Sequence, residues 1–76
     1  MENPYWLIRE SGKAHGFATV ASDAARNEQE ALGVYSAMEP DSYDMMEFYG
    51  TLMEAVLVEL HYDENNQPVV TEVASA

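Results

Sequence analysis

Ala55-Val56-Leu57-Val58-Glu59-Leu60-His61-Tyr62 decides the fold. Its period is two: Val56, Val58, Leu60 and Tyr62 point one way while Leu57, Glu59 and His61 point the other, the alternation of a strand. Asp63-Glu64-Asn65-Asn66-Gln67-Pro68 follows as turn chemistry, and Val69-Val70-Thr71-Glu72-Val73 resumes the alternation. Residues 55 to 74 therefore predict a β-hairpin. Immediately upstream the period changes. Met45, Met46, Tyr49, Leu52, Met53 and Val56 recur at helical spacing, and Asp41 and Ser42 offer N-caps, which predicts a helix over about 42 to 53.

Working back from there, Glu39-Pro40 separates this helix from an earlier one, because a residue before proline is pushed out of the helical region. Ala24, Glu28, Ala31, Tyr35 and Met38 fall at steps of four, three, four and three, with Ser22 or Asp23 as the cap. They predict a helix from about 23 to 38, with Gly33 offering an earlier stop at Leu32 or Gly33 at a cost of about 1 kcal/mol relative to Ala. At the start, Tyr5-Trp6-Leu7-Ile8-Arg9-Glu10 reads as a strand, Ser11-Gly12-Lys13 as a turn and Gly16 to Ala21 as a second strand. The expected fold is α+β in the order β-β-α-α-β-β: one antiparallel sheet of two hairpins, with two helices packed on one face. Residues 1–76 form one domain without repeats, low-complexity tracts or linkers, and Ala74-Ser75-Ala76 is expected to fray.

Composition removes several functions. The chain has 76 residues, of which 14 are Asp or Glu and 3 are Lys or Arg, so its formal net charge is −11; it has no cysteine. A domain of this size buries only about 60% of its unfolded surface, which leaves little room for a deep active site, and no disulfide or cysteine-based metal site can supplement the core. With 47% hydrophobic residues the chain is nonetheless expected to fold. Arg9, Lys13 and Arg26 are too few to neutralise phosphates, so direct binding of nucleic acid is not expected. Neither a signal peptide nor a membrane span is expected, since no basic stretch precedes the first apolar run and none of these runs approaches roughly 18 residues. The cytoplasm is the expected location.

No reaction chemistry assembles. His15 lies beside a turn and His61 on the polar face of a strand, neither spaced to suggest an orienting partner and a nucleophile. His61-Tyr62-Asp63-Glu64 lacks a second nearby His or Cys, and Asp63 to Pro68 lacks the glycine an EF-hand loop requires, so no metal is expected. Gly12 and Gly16 form no phosphate loop, and no serine sits in a nucleophile elbow. The expectation is a protein that is not an enzyme and takes no cofactor.

Charge is the informative feature. Residues 1 to 26 balance Glu2, Glu10 and Asp23 against all three basic residues, so the other 50 residues carry 14 − 3 = 11 carboxylates and the whole net charge. Glu39, Asp41, Asp44 and Glu47 follow at spacings of two, three and three; residues three apart on a helix are neighbours, and with no cation between them these acids repel. One reading is a solvated face that keeps the protein soluble. Another is that carboxylates stand in for the phosphates of DNA and compete for a basic groove, with fast, salt-sensitive association. The residues singled out for this contact are Glu39, Asp41, Asp44, Glu47, Asp63 and Glu64, with Tyr43 and Phe48 as apolar anchors. Met45, Met46 and Met53 also enter, because Phe48 lies roughly opposite Met46 and Met53 on a helical wheel; some apolar surface is left for a partner or for a second copy in a homodimer.

With a strand opening such as Tyr5-Trp6-Leu7-Ile8, an early helix such as Asp23-Ala24-Ala25-Arg26 and a late hairpin, this small, acidic, cysteine-free chain resembles phage-encoded inhibitors of the anti-CRISPR kind. The resemblance is one of size, charge and architecture. It implies a protein made in an infected bacterium that binds a CRISPR surveillance complex or its nuclease and blocks DNA recognition by occupancy. The alternative is a small structural or regulatory protein that self-associates through exposed Met and aromatic residues.

Overall fold

The structure, a computed structural model, describes residues 3–73. The fold is α+β. Strands β1 (Tyr5–Glu10) and β2 (Gly16–Ala21) precede helices α1 (Glu28–Met38) and α2 (Pro40–Phe48), and β3 (Met53–Tyr62) and β4 (Pro68–Glu72) close the chain. The strands form one antiparallel sheet in the order β2-β1-β3-β4. They are not two independent hairpins, because β1 pairs with β3 from Tyr5↔Val58 to Glu10↔Met53 and fuses the hairpins through the middle of the sheet. The expected fraying of residues 74 to 76 and the last residue of the expected hairpin lie outside the described residues.

Register explains the hydrogen bonding at the sheet centre. Even-numbered residues of β3 turn their backbone groups toward β1 and odd-numbered ones toward β4, as the bonds Ser11 N to Leu52 O and Val73 N to Leu57 O, both 2.8 Å, require. Just before β1 begins, the Asn3 side chain continues the pattern: its Nδ2 donates to Leu60 O and its Oδ1 accepts from Leu60 N, both at 2.8 Å. Glu28 on α1 accepts from Ala55 N at 3.1 Å. Two side chains thus satisfy backbone groups beyond the described strand pairings.

Helical cover lies on one face only. Ile8, Val20 and Ala55 pack there against Ala31 and Tyr35 of α1 and against Ala25, with Trp6, Leu32 and Met53 at the margin. Tyr35 is the keystone, its ring 5.7 Å from Phe17 of β2 and 6.1 Å from Tyr43 of α2 between centroids. The helix α2 lies on α1, so it is not a second cover for the sheet but an outer layer reached through Tyr35 and Tyr43. On the opposite sheet face Tyr5 and Val58 are buried as a cross-strand pair, and Arg9 bonds Glu72 at 2.8 Å and lies 3.5 Å from Glu54. Both faces of β3 are therefore apolar, where a single apolar face was expected.

Helix limits depart from the sequence reading for local reasons. The first helix begins at Glu28, not near 23: Asn27 caps it by accepting from Glu30 N at 2.9 Å, while Ser22–Ala24 form a 3-10 turn without a side-chain cap bond. It passes through Gly33 and ends at Met38, with Pro40 opening the second helix as a first-turn proline, so Asp41 and Ser42 lie inside the helix rather than capping it. The second helix stops at Phe48, not 53. Gly50 at φ +71° permits the left-handed turn in which Gly50 N reaches Glu47 O and Thr51 N reaches Met46 O, at 3.0 and 2.9 Å. Leu52 and Met53 consequently leave the helix, and β3 starts two residues earlier than the alternation indicated.

Candidate partner-binding surface

Building outward from α2, Asp41, Asp44 and Phe48 fall within about 60° of one another at 100° per residue, which makes them one strip. All three are exposed, Phe48 at 82%. Glu47 lies beside this strip, next to the half-buried Tyr43, and Glu39 precedes the first turn. Among the described residues the ion pairs are Arg9 with Glu54 and Glu72, and Arg26 with Glu30. None involves Glu39, Asp41, Asp44 or Glu47. The packing of Tyr43 against the core pushes its phenol above the ordinary value, chiefly through burial and secondarily through the charge of Glu47.

Asp63 and Glu64 stand elsewhere. They follow β3, whose ten residues span about 33 Å, whereas α2 hands over to the start of that strand through residues 49 to 52. The hairpin tip is thus one acidic site and α2 another. Asp63 is also structurally employed: its Oδ1 accepts from Asn65 N and Gln67 N at 2.9 Å each, organising the turn in which Asn66 takes φ 60°. Glu64 is exposed without such a role.

The apolar residues next to the strip are the part that periodicity misplaced. Tyr49 and Leu52 share the helical spacing that predicts a helix to about 53, yet the helix ends at Phe48 and leaves them 73% and 76% exposed. With Met45 and Phe48 they leave an apolar end on α2, Phe48 and Tyr49 meeting edge to face at 5.2 Å. Gly50 was the available signal, a left-handed stop two residues beyond Phe48.

His15 and His61 are exposed, and no group of three His, Cys, Asp or Glu suited to a metal ion occurs among the described residues. No helix among them is long and apolar enough to cross a membrane. A shallow depression on α2 is lined by Asp41, Ser42, Met45 and Met46. Comparison with known proteins finds no matching family, curated protein or solved structure.

One carboxylate is tuned by its neighbours and supplies a test of the local geometry. Glu30 accepts from Arg26 N at 2.9 Å and from the Arg26 guanidinium at 3.1 Å, which holds its carboxyl below the ordinary glutamate value. A folded pKa depressed in this way contributes stability above the unfolded value and loses it as pH falls through the folded one. In a carboxyl carbon NMR titration Glu30 should have its midpoint below the ordinary glutamate value, and Arg26→Ala should move it part of the way back. A midpoint at or above that value would contradict this first-turn arrangement.

Proposed function

We propose that the chain is a non-enzymatic inhibitor that binds a basic nucleic-acid-binding surface through the acidic strip of α2, in the manner of phage proteins that block CRISPR complexes. The observation that carries this reading is the strip itself: Asp41 and Asp44, with Glu39 and Glu47 at its borders, exposed, uncompensated by any cation among the described residues and flanking the exposed Phe48. Acids at i and i+3 destabilise a helix when nothing pairs with them, and a Lys- or Arg-rich groove would relieve that repulsion on contact. Phe48 would supply the desolvated anchor that charge alone lacks.

The test is capture from nuclease-treated lysate of bacteria carrying an active CRISPR system, with low- and high-salt washes and identification by mass spectrometry. The expected result is a basic nucleic-acid-binding complex that salt elutes, with recovery falling at least tenfold when Asp41, Asp44 and Glu47 are all replaced by Lys. Unchanged recovery by the triple variant would remove α2 as the contact. A second reading rests on the apolar end of α2: Met45, Phe48, Tyr49 and Leu52 could hold a second copy, which salt would not dissociate and which Phe48→Ser would.

A further inference from the structure

The two edges of the sheet are unlike. At the β2 edge the register shifts between Ile8 and Arg9, the irregularity falls at Phe17, and α1 packs on the strand. Such a bulge protects an edge from unwanted pairing. At the β4 edge the pairing is regular from Val58↔Glu72 to Tyr62↔Pro68, and all five residues are exposed. Because Asp63 N bonds Gln67 O and Val73 N bonds Leu57 O, the odd-numbered residues of β4 face β3. The backbone groups of Pro68, Val70 and Glu72 consequently point outward. Proline stands at one of these outward positions, where its missing N–H breaks no bond to β3.

We propose that the chain pairs with a second copy of itself along β4, antiparallel about a two-fold axis through Val70, to form one continuous eight-stranded sheet. The strand is self-complementary in that register. Val70 N and O exchange bonds with the partner's Val70, and Glu72 N donates to the O of the partner's Pro68, giving four hydrogen bonds across the axis. Val70 meets its own copy on one face, and Val69 meets the partner's Thr71 on the other.

Charge favours a second copy over a basic peptide at this edge. Residues 65 to 71 contain no charged side chain, and Glu72 is already engaged by Arg9 at 2.8 Å. A Lys-rich strand would find no free carboxylate on β4 to answer it. Two bodies of net charge −11 repel at long range, and salt shortens that range from about 10 Å at 0.1 M to about 3 Å at 1 M. Pairing therefore strengthens with salt, the opposite sign from the acidic contact proposed for α2, on which this inference does not depend.

A five-residue edge is smaller than a standard interface, so the experiment runs up to about 1 mM protein. Sedimentation equilibrium at low salt and at about 0.5 M NaCl should show the mean mass rising toward twice the 8.5 kDa of the chain, more steeply at high salt. Hydrogen exchange at the Val70 and Glu72 amides should slow with concentration, while that at Val69 and Thr71, already turned to β3, should not. Val70→Pro removes an outward N–H that no internal bond uses and should abolish the rise in mass; Val70→Lys, which leaves the backbone intact, should do the same. A constant 8.5 kDa at every concentration, self-association that survives both variants, or self-association lost in Phe48→Ser but not in Val70→Lys would each overturn the proposal.

Discussion

Replacing Tyr35 with alanine should destabilise the domain by about 4 kcal/mol, the range for emptying a buried aromatic site. Tyr35 is 3% exposed and its ring spans two interfaces, toward Phe17 on the sheet and toward Tyr43 on α2. Only part of the resulting cavity can collapse, because Ile8 and Ala55 behind it belong to the two central strands. A domain of this length has a total stability of only about 4 to 11 kcal/mol, so the variant should melt roughly 15 to 30 °C lower or fail to fold. Tyr35→Phe keeps the ring and should stay within about 1.5 kcal/mol of the parent. Thermal melting followed by circular dichroism distinguishes these outcomes. If alanine at 35 shifted the midpoint by only a few degrees, the three-ring contact would not be what holds α2 to the molecule.

The second large effect concerns two glycines with opposite signs. A Cβ on Gly16 would run into the Leu7 side chain and stand 2.8 Å from Ile8 O; the leucine can swing aside, but a carbonyl in the central sheet cannot. Gly16→Ala should therefore cost about 3 kcal/mol, at the upper end of what an inserted methyl does. At Gly33 a Cβ meets nothing within 4 Å, and the site is an exposed position inside α1. Gly33→Ala should stabilise by about 0.5 to 1 kcal/mol, since alanine loses less backbone freedom on entering a helix. Urea melts of the two variants should move the midpoint in opposite directions. A neutral Gly16→Ala would mean that β2 is free to move off β1 at its bulge.

The strands were legible because their alternation or apolar density is local. Tyr5 to Glu10 and Gly16 to Ala21 lie where their composition puts them. Pro68 joined the turn in the sequence reading and the strand in the structure, because a missing N–H is harmless on an edge and sequence alone does not say which strand is the edge. The start of α1 is set by Asn27 rather than by Ser22 or Asp23. Asn27 with Glu30 three residues on carries the fuller signature, and the preceding Ala25 is held by a tertiary contact that no window of sequence contains. Helical period alone carries the second helix too far, since Tyr49 and Leu52 fit the wheel while the left-handed Gly50 between them ends it. For the acidic residues, spacing leaves helix rotation open: Asp41 and Asp44 share one strip of α2 only once its limits are known, and Asp63 and Glu64 lie at the far end of a ten-residue strand.

The indole of Trp6 donates to Ala25 O at 3.0 Å, from the helix-covered side of the central strand to the link that enters α1. It is the chain's single tryptophan. The protein thus has a built-in optical gauge of whether its helical layer is seated: undocking would open the indole to water and shift its emission to longer wavelength. Rapid-mixing fluorescence can then time the closing of helix onto sheet without any label, and compare it with sheet formation followed by circular dichroism.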